Sequence, residues 1–108
     1  MAANDVLDKL RALRGGPRDG ALLRMSIANA LLVQGDAPGA IAELREALRF
    51  DPDYSAAWKL LGKTLADSGD SAAATAAYQT GIAAAVRRGD KQAEREMSVF
   101  LRRLTRSS

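Results

Sequence analysis

The sequence predicts an all-α fold, a short solenoid of two similar helix pairs with one extra helix at each end. Three observations carry it. The chain repeats itself with a period of 34 residues, its apolar residues recur at helical spacing, and the same Gly-Asp pair punctuates both units. Composition agrees. Apolar residues make up 47% of the 108, largely alanine and leucine, while aromatics are only 5%. That mix favours helix over the β-branched and aromatic residues of a sheet. The length suggests one domain, residues 1–108.

The helices are expected in the following order. Residues 4–14, "NDVLDKLRALR", place Val6, Leu7, Leu10 and Leu13 on one face, with Asn4 or Asp5 as cap and Gly15-Gly16 as stop. The first repeat, 21–54, opens with a helix over 20–34 carrying Leu23, Ile27, Ala30 and Leu31. Gly35 ends it and Asp36 caps the next, 37–50, whose stripe is Ala40, Ile41, Leu44, Ala47 and Leu48. Pro52 disfavours helical geometry at Asp51, and Asp53 is the expected cap of the following helix. The second repeat, 55–88, has helices near 54–68 and 71–88, the latter running on towards Gly89. Residues 90–106 form a closing helix capped by Asp90. Its stripe is Ala93, Met97, Phe100, Leu101 and Leu104, with Met97 and Phe100 read as core.

Shifting the chain by 34 sets Asp19 on Asp53, Ile27-Ala28 on Leu61-Gly62, Leu31 on Leu65, Gly35-Asp36 on Gly69-Asp70, Ala40 on Ala74 and Leu44 on Tyr78. The second unit reads "WKLLGKTL" and then "ATAAY"; the first reads "RMSIANAL", "AIAEL" and then Pro52. Over residues 21–88 this resembles the tetratricopeptide repeat, a helix–turn–helix unit with W-x2-L-G-x2-Y, A-x3-F and P positions. Arg24 replaces the first unit's tryptophan, and Leu65 replaces a tyrosine.

Several chemistries are excluded at once. With no cysteine there is no disulfide or thiolate site, and with no histidine there is no serine–histidine catalysis or imidazole ligation. No cofactor or metal is expected. "AAWKLLGKT" imitates a phosphate-binding loop over Ala57–Thr64. Such a loop needs a preceding strand and free backbone N–H groups at a helix N-terminus. Here "FDPDYSA" is a turn and a helix start, so the eight residues fall inside a helix. A nucleotide-binding enzyme is therefore disfavoured. Trp58 is expected to be buried between the paired helices, Gly62 at a close helix contact, Lys63 towards solvent or the groove, and Thr64 is incidental.

The resemblance implies a non-enzymatic protein-interaction module whose first helices line a concave groove for a peptide-like segment. Matching positions here are Leu22, Met25, Asn29 and Leu32, then Ala56, Lys59 and Lys63, with Ala93 and Met97 added from the last helix. Met25, Asn29, Lys59 and Lys63 are the candidate partner site. Lys59 and Lys63 lie one turn apart and are expected to be exposed, facing an acidic or carboxylate group on the partner. The family's carboxylate clamp is not expected: Met25, Leu60, Asp90 and Glu94 occupy its lysine, asparagine and basic positions.

A structural or self-associating assembly subunit is the alternative. Residues 87–108 hold seven Arg/Lys against three acids, the rest nine against ten. Arg102, Arg103 and Arg106 sit where a helix dipole favours cations, with no aromatic platform for bases. Neither nucleic acid nor membrane is an expected partner. No apolar run approaches the roughly 18 residues of a membrane span, and the N-terminus lacks a signal-like apolar region, so a cytoplasmic protein is expected.

Overall fold

In a computed structural model, which describes residues 2–107 and the side chains of 5–106, the chain is helical: α1 (Ala2–Ala12), α2 (Ala21–Val33), α3 (Ala37–Phe50), α4 (Ser55–Asp67), α5 (Ser71–Arg88) and α6 (Lys91–Ser107). The helices fall into two compact units, Met1–Asp51 and Pro52–Ser108. In the first, α2 packs on α3 and α1 on α2; in the second, α4 packs on α5, and α6 on both.

The Gly-Asp turns work as their chemistry dictates. Gly35 and Gly69 take φ of 80° and 87°, a left-handed conformation costly for any residue with a Cβ. The next N–H, of Asp36 or Asp70, then reaches back to Leu31 or Leu65 O at 2.9 Å, closing the end of the helix. The aspartate side chain turns forward and accepts from Gly39 N at 2.9 Å or Ala73 N at 3.1 Å, capping the next helix. A third such turn joins α5 to α6. Gly89 has φ 74°, Asp90 N reaches Ala85 O at 2.9 Å, and the Asp90 carboxylate accepts from Ala93 N at 3.1 Å. The α5–α6 pair thus reuses the device found inside each repeat. As expected, α5 runs through Val86 to Gly89.

The first unit is centred on Leu7, Leu23, Ile27, Ala28, Leu31, Ala40, Leu44, Ala47 and Leu48, all buried. The second is centred on Tyr78, Ala85, Ala93 and Met97, with Trp58, Ile82, Phe100, Leu101 and Leu104 packed around them.

Five expectations are corrected. The first helix is displaced: α1 covers Ala2–Ala12, not 4–14. Leu13 and Arg14 N instead make tighter bonds to Leu10 and Arg11 O ahead of Gly15. Asn4 and Asp5 lie inside the helix rather than at its cap, and the Asn4 side chain is outside the described residues. Of the predicted face only Leu7 is buried; Val6 and Leu13 are exposed. Asp53 does not cap α4. Tyr54 holds that position without a side-chain bond, and Asp53 accepts from Arg87 Nη2 at 2.6 Å instead. Trp58 is half-buried, since its indole N–H donates outward to Pro52 O at 2.7 Å. Thr64 is not incidental: it is buried, its hydroxyl bonded to Leu60 O at 2.8 Å. Finally, Ala93 and Met97 belong to the core rather than a groove, at 6% and 0% exposure.

Candidate partner-binding site

The phosphate-loop resemblance dissolves in the geometry. Ala57–Thr64 lies wholly within α4. Gly62 is there for Tyr78: a Cβ on Gly62 would stand 2.5 Å from the Tyr78 ring. Its partner Gly81 makes room on α5, where a Cβ would meet Trp58 Cβ at 2.6 Å and Met97 Sδ at 2.7 Å. Two glycines inside helices each cost about 1 kcal/mol relative to alanine. Here each admits an aromatic side chain that fills the helix interface.

The four candidate residues divide between the two units. In the first, Met25 is half-buried on α2, and Asn29, one turn on, is exposed. The Asn29 amide donates to Met25 O at 3.1 Å, a local bond within one helical turn. In the second unit, Lys59 and Lys63 share a face of α4 at a spacing of one turn. Lys63 is exposed as expected, whereas Lys59 is half-buried. Both are engaged within the unit. Lys59 Nζ lies 3.1 Å from Glu96 on α6, and Lys63 Nζ 2.8 Å from Asp67 on α4. Side chains in these pairs keep between 35% and 66% of their surface, so solvent screens them and an incoming carboxylate can exchange for either acid at little cost.

Two clefts open beside these lysines. A polar one of about 250 Å3 surrounds Lys59, with Ala56, Asp90, Gln92 and Glu96. Asp90 is pinned in it by Ser55, whose hydroxyl donates to the carboxylate at 2.8 Å. The Ala93 N–H first, and this hydroxyl second, hold the Asp90 carboxyl below the usual carboxylate range. A larger cleft, about 340 Å3, lies beside Lys63 and is lined by Ala66, Tyr78, Phe100, Arg103 and Leu104. The Tyr78 and Phe100 ring centroids are 5.9 Å apart and tilted by 36°. Burial raises the Tyr78 hydroxyl above its ordinary pKa. The sequence reading placed Phe100 in the core, passed over Ala66, and took Arg103 only as one of the cations that the helix dipole favours. The available signal was the small pair Gly62 and Ala66 one turn apart, facing the aromatic pair.

The first unit holds no comparable aromatic cleft among its described residues. It carries an ion network instead. Arg24 grips Asp19 with Nε and Nη2 at 2.9 and 3.0 Å and reaches Glu43 with Nη1 at 3.1 Å. Arg14 holds the other Glu43 oxygen at 3.2 Å. Glu43 is buried, which its two arginines make tolerable. Arg24, then the Gly15 N–H, hold the Asp19 carboxyl well below the usual carboxylate range, and the Arg24 guanidinium is held correspondingly above its own. The Arg24 guanidinium also lies 5.9 Å from the Phe50 ring centroid. Arg102, Arg103 and Arg106 are exposed along the last turns of α6. No group of metal-binding side chains and no helix long and apolar enough to cross a membrane occurs among the described residues.

Known proteins resemble this chain in sequence and in fold. The family model for the tetratricopeptide repeat matches residues 2–55 and 25–88, so the match begins with α1 rather than with α2. A TPR repeat-containing protein of Pseudomonas aeruginosa is 49% identical over 89 residues, 82% of this chain and 85% of that protein. A solution structure from Bordetella parapertussis superposes with a TM-score of 0.80 at 44% identity, covering 94% of this chain and 89% of the other. The TPR domain of Sgt2 from Aspergillus fumigatus does so with 0.66 at 28%, covering 94% and 72%.

Proposed function

Because the chain belongs to the tetratricopeptide repeat family, whose members are generally protein-interaction modules, we propose that it binds a peptide-like segment of a partner protein without catalysing a reaction. The observation that carries the reading is the pair of repeats itself. Each presents exposed side chains on its first helix, Leu22 and Asn29 in one and Ala56 and Lys63 in the other, over a buried core. We assign the partner contacts to Met25 and Asn29 on α2 and Lys59 and Lys63 on α4. Met25 offers an adaptable apolar contact, Asn29 an amide, and the two lysines a charge pair for an acidic group. Neither nucleic acid nor a membrane surface is part of this reading, and a cytoplasmic location belongs to it.

Two repeats make a short surface, so affinity is expected in the micromolar range, about −8 kcal/mol. The test begins with an unbiased pull-down and mass spectrometry. The recovered partner is then titrated against wild type and the Lys59→Glu/Lys63→Glu double variant at two salt concentrations. Weaker binding by a folded double variant, with a smaller salt dependence, supports the assignment. Equal binding moves the contact to another surface.

A further inference from the structure

We propose that the cleft bounded by α4, α5 and α6 is a docking site for a peptide segment that presents one bulky apolar side chain beside a carboxylate. This rests on the reading of the chain as a peptide-binding module, and of the residues assigned above it uses only Lys63. The cleft has a physical origin. Gly62 lets the Tyr78 ring lie against α4, and Ala66, one turn further on, keeps the next stretch of that helix shallow. Phe100 and Leu104 close the space from α6. What remains is about 340 Å3, near the lower end of the roughly 300–1,000 Å3 of small-molecule pockets. That suits a single large side chain rather than a dinucleotide or other extended cofactor.

The walls select an aromatic or long aliphatic group. Phe100, only partly buried, offers its ring for an aromatic guest to stack on offset or edge-on, while Tyr78, a core ring, backs Phe100 from within. The rim selects charge. Among the described lining residues, Lys63 and Arg103 set two cations against one acid, Asp67. The Lys63–Asp67 pair is an exposed i,i+4 contact, with 63% and 66% of the side chains accessible. A guest carboxylate that takes Lys63 Nζ therefore displaces little.

The test is an amide-shift titration of the 15N-labelled full chain. Its probe is the capped tripeptide acetyl-Asp-Trp-Glu-amide. Saturable shifts are expected at Ala66, Phe100, Arg103 and Leu104. The neutral analogue acetyl-Asn-Trp-Gln-amide should bind about two- to fivefold more weakly. Acetyl-Asp-Ala-Glu-amide should lose about tenfold or more. Arg103→Glu should weaken the first probe while Arg45→Glu, an exposed position on α3, leaves it unchanged. Several results overturn the proposal. One is no saturable shift at these four amides in a well-folded spectrum. Another is the reverse ranking of the two variants. Shifts that appear on concentrating the protein alone would assign the cleft to a second copy of the chain. Saturation at Met25, Asn29 and Lys59 instead would sink the cleft while leaving the module reading intact.

Discussion

The two repeats follow one plan and build it from different materials. In the first unit the position of the family's tryptophan holds Arg24, which ties Asp19 to Glu43; in the second, the equivalent Trp58 packs on Gly81 and Met97. Likewise Ala28 and Leu44 of the first unit become Gly62 and Tyr78 in the second, a small residue made smaller as its counterpart grows. Both solutions fill the space between two helices. Only the second leaves an aromatic surface beside an open cleft. The period of 34 therefore specifies turns and spacing, while the chemistry of the interface is free to diverge, and binding chemistry is expected where it has diverged towards rings.

The largest expected effect breaks the aromatic side of the comparison. Tyr78→Ala removes a ring that is only 3% exposed and should destabilise the second unit by about 3–5 kcal/mol. Denaturant titration gives the total. Hydrogen exchange shows where the loss falls: α4, α5 and α6 amides should lose protection before those of α2 and α3 do. A loss below about 1 kcal/mol would mean that Tyr78 is not a core ring.

A double-mutant cycle sharpens the size exchange. Gly62→Ala alone forces a Cβ into the Tyr78 ring, and overpacking of this kind costs about 1–3 kcal/mol. Adding Tyr78→Leu imports the first unit's pair into the second and should recover about 1 kcal/mol or more of that penalty as coupling. Strict additivity of the two changes would show that the residues do not share a space.

The elements whose signal is local were legible in the sequence. The glycines at φ near +80° and the aspartates after them set helix ends to within a residue or two, because one turn of backbone decides them. Gly62 was also legible as a close contact. Less legible were features that depend on which side chains meet. Asp53 looked like a cap, but Arg87, 34 residues on, competes for its carboxylate and wins. Trp58 looked buried because periodicity gives a face, not a depth. Its indole N–H needs a partner, and Pro52 O supplies one at the edge. Of the candidate site, the face shared by Lys59 and Lys63 followed from their spacing of one turn. Their acids, Glu96 and Asp67, did not, since the first sits on another helix.

The ionic side of the comparison is broken next. Arg24→Ala leaves Asp19 and the buried Glu43 without their shared cation and should lower Tm by about 4–8 °C at neutral pH. Acid acts on the same groups. Asp19, Asp53 and Asp90 are held below the ordinary carboxylate value by Arg24, by Arg87 and by the Ala93 N–H respectively. A carboxylate depressed in the folded state contributes its full stability above its unfolded pKa of about 3.9, and loses it as pH falls through the folded value. Tm should therefore be flat above about pH 5 and fall below pH 4. Asp19→Asn should flatten part of that fall, and an unchanged acid profile would remove the Asp19–Arg24 pair from the explanation.

The smallest effects test what the two units share. Asp36→Ala and Asp70→Ala each remove one N-cap acceptor and should each cost about 1 kcal/mol. Because the turn geometry is the same, the two losses should agree within a few tenths of a kcal/mol, in contrast to the unequal interface variants. Asp90→Ala should cost more than either. Its carboxylate not only caps α6 but also accepts from the buried Ser55, whose hydroxyl is left without its acceptor. Adding Ser55→Ala to Asp90→Ala isolates this term, because the double variant no longer buries an unmatched hydroxyl and should return towards the cost of a simple cap. If Asp90→Ala instead behaves like Asp36→Ala, the bond to Ser55 contributes nothing. The third turn is then a plain copy of the other two.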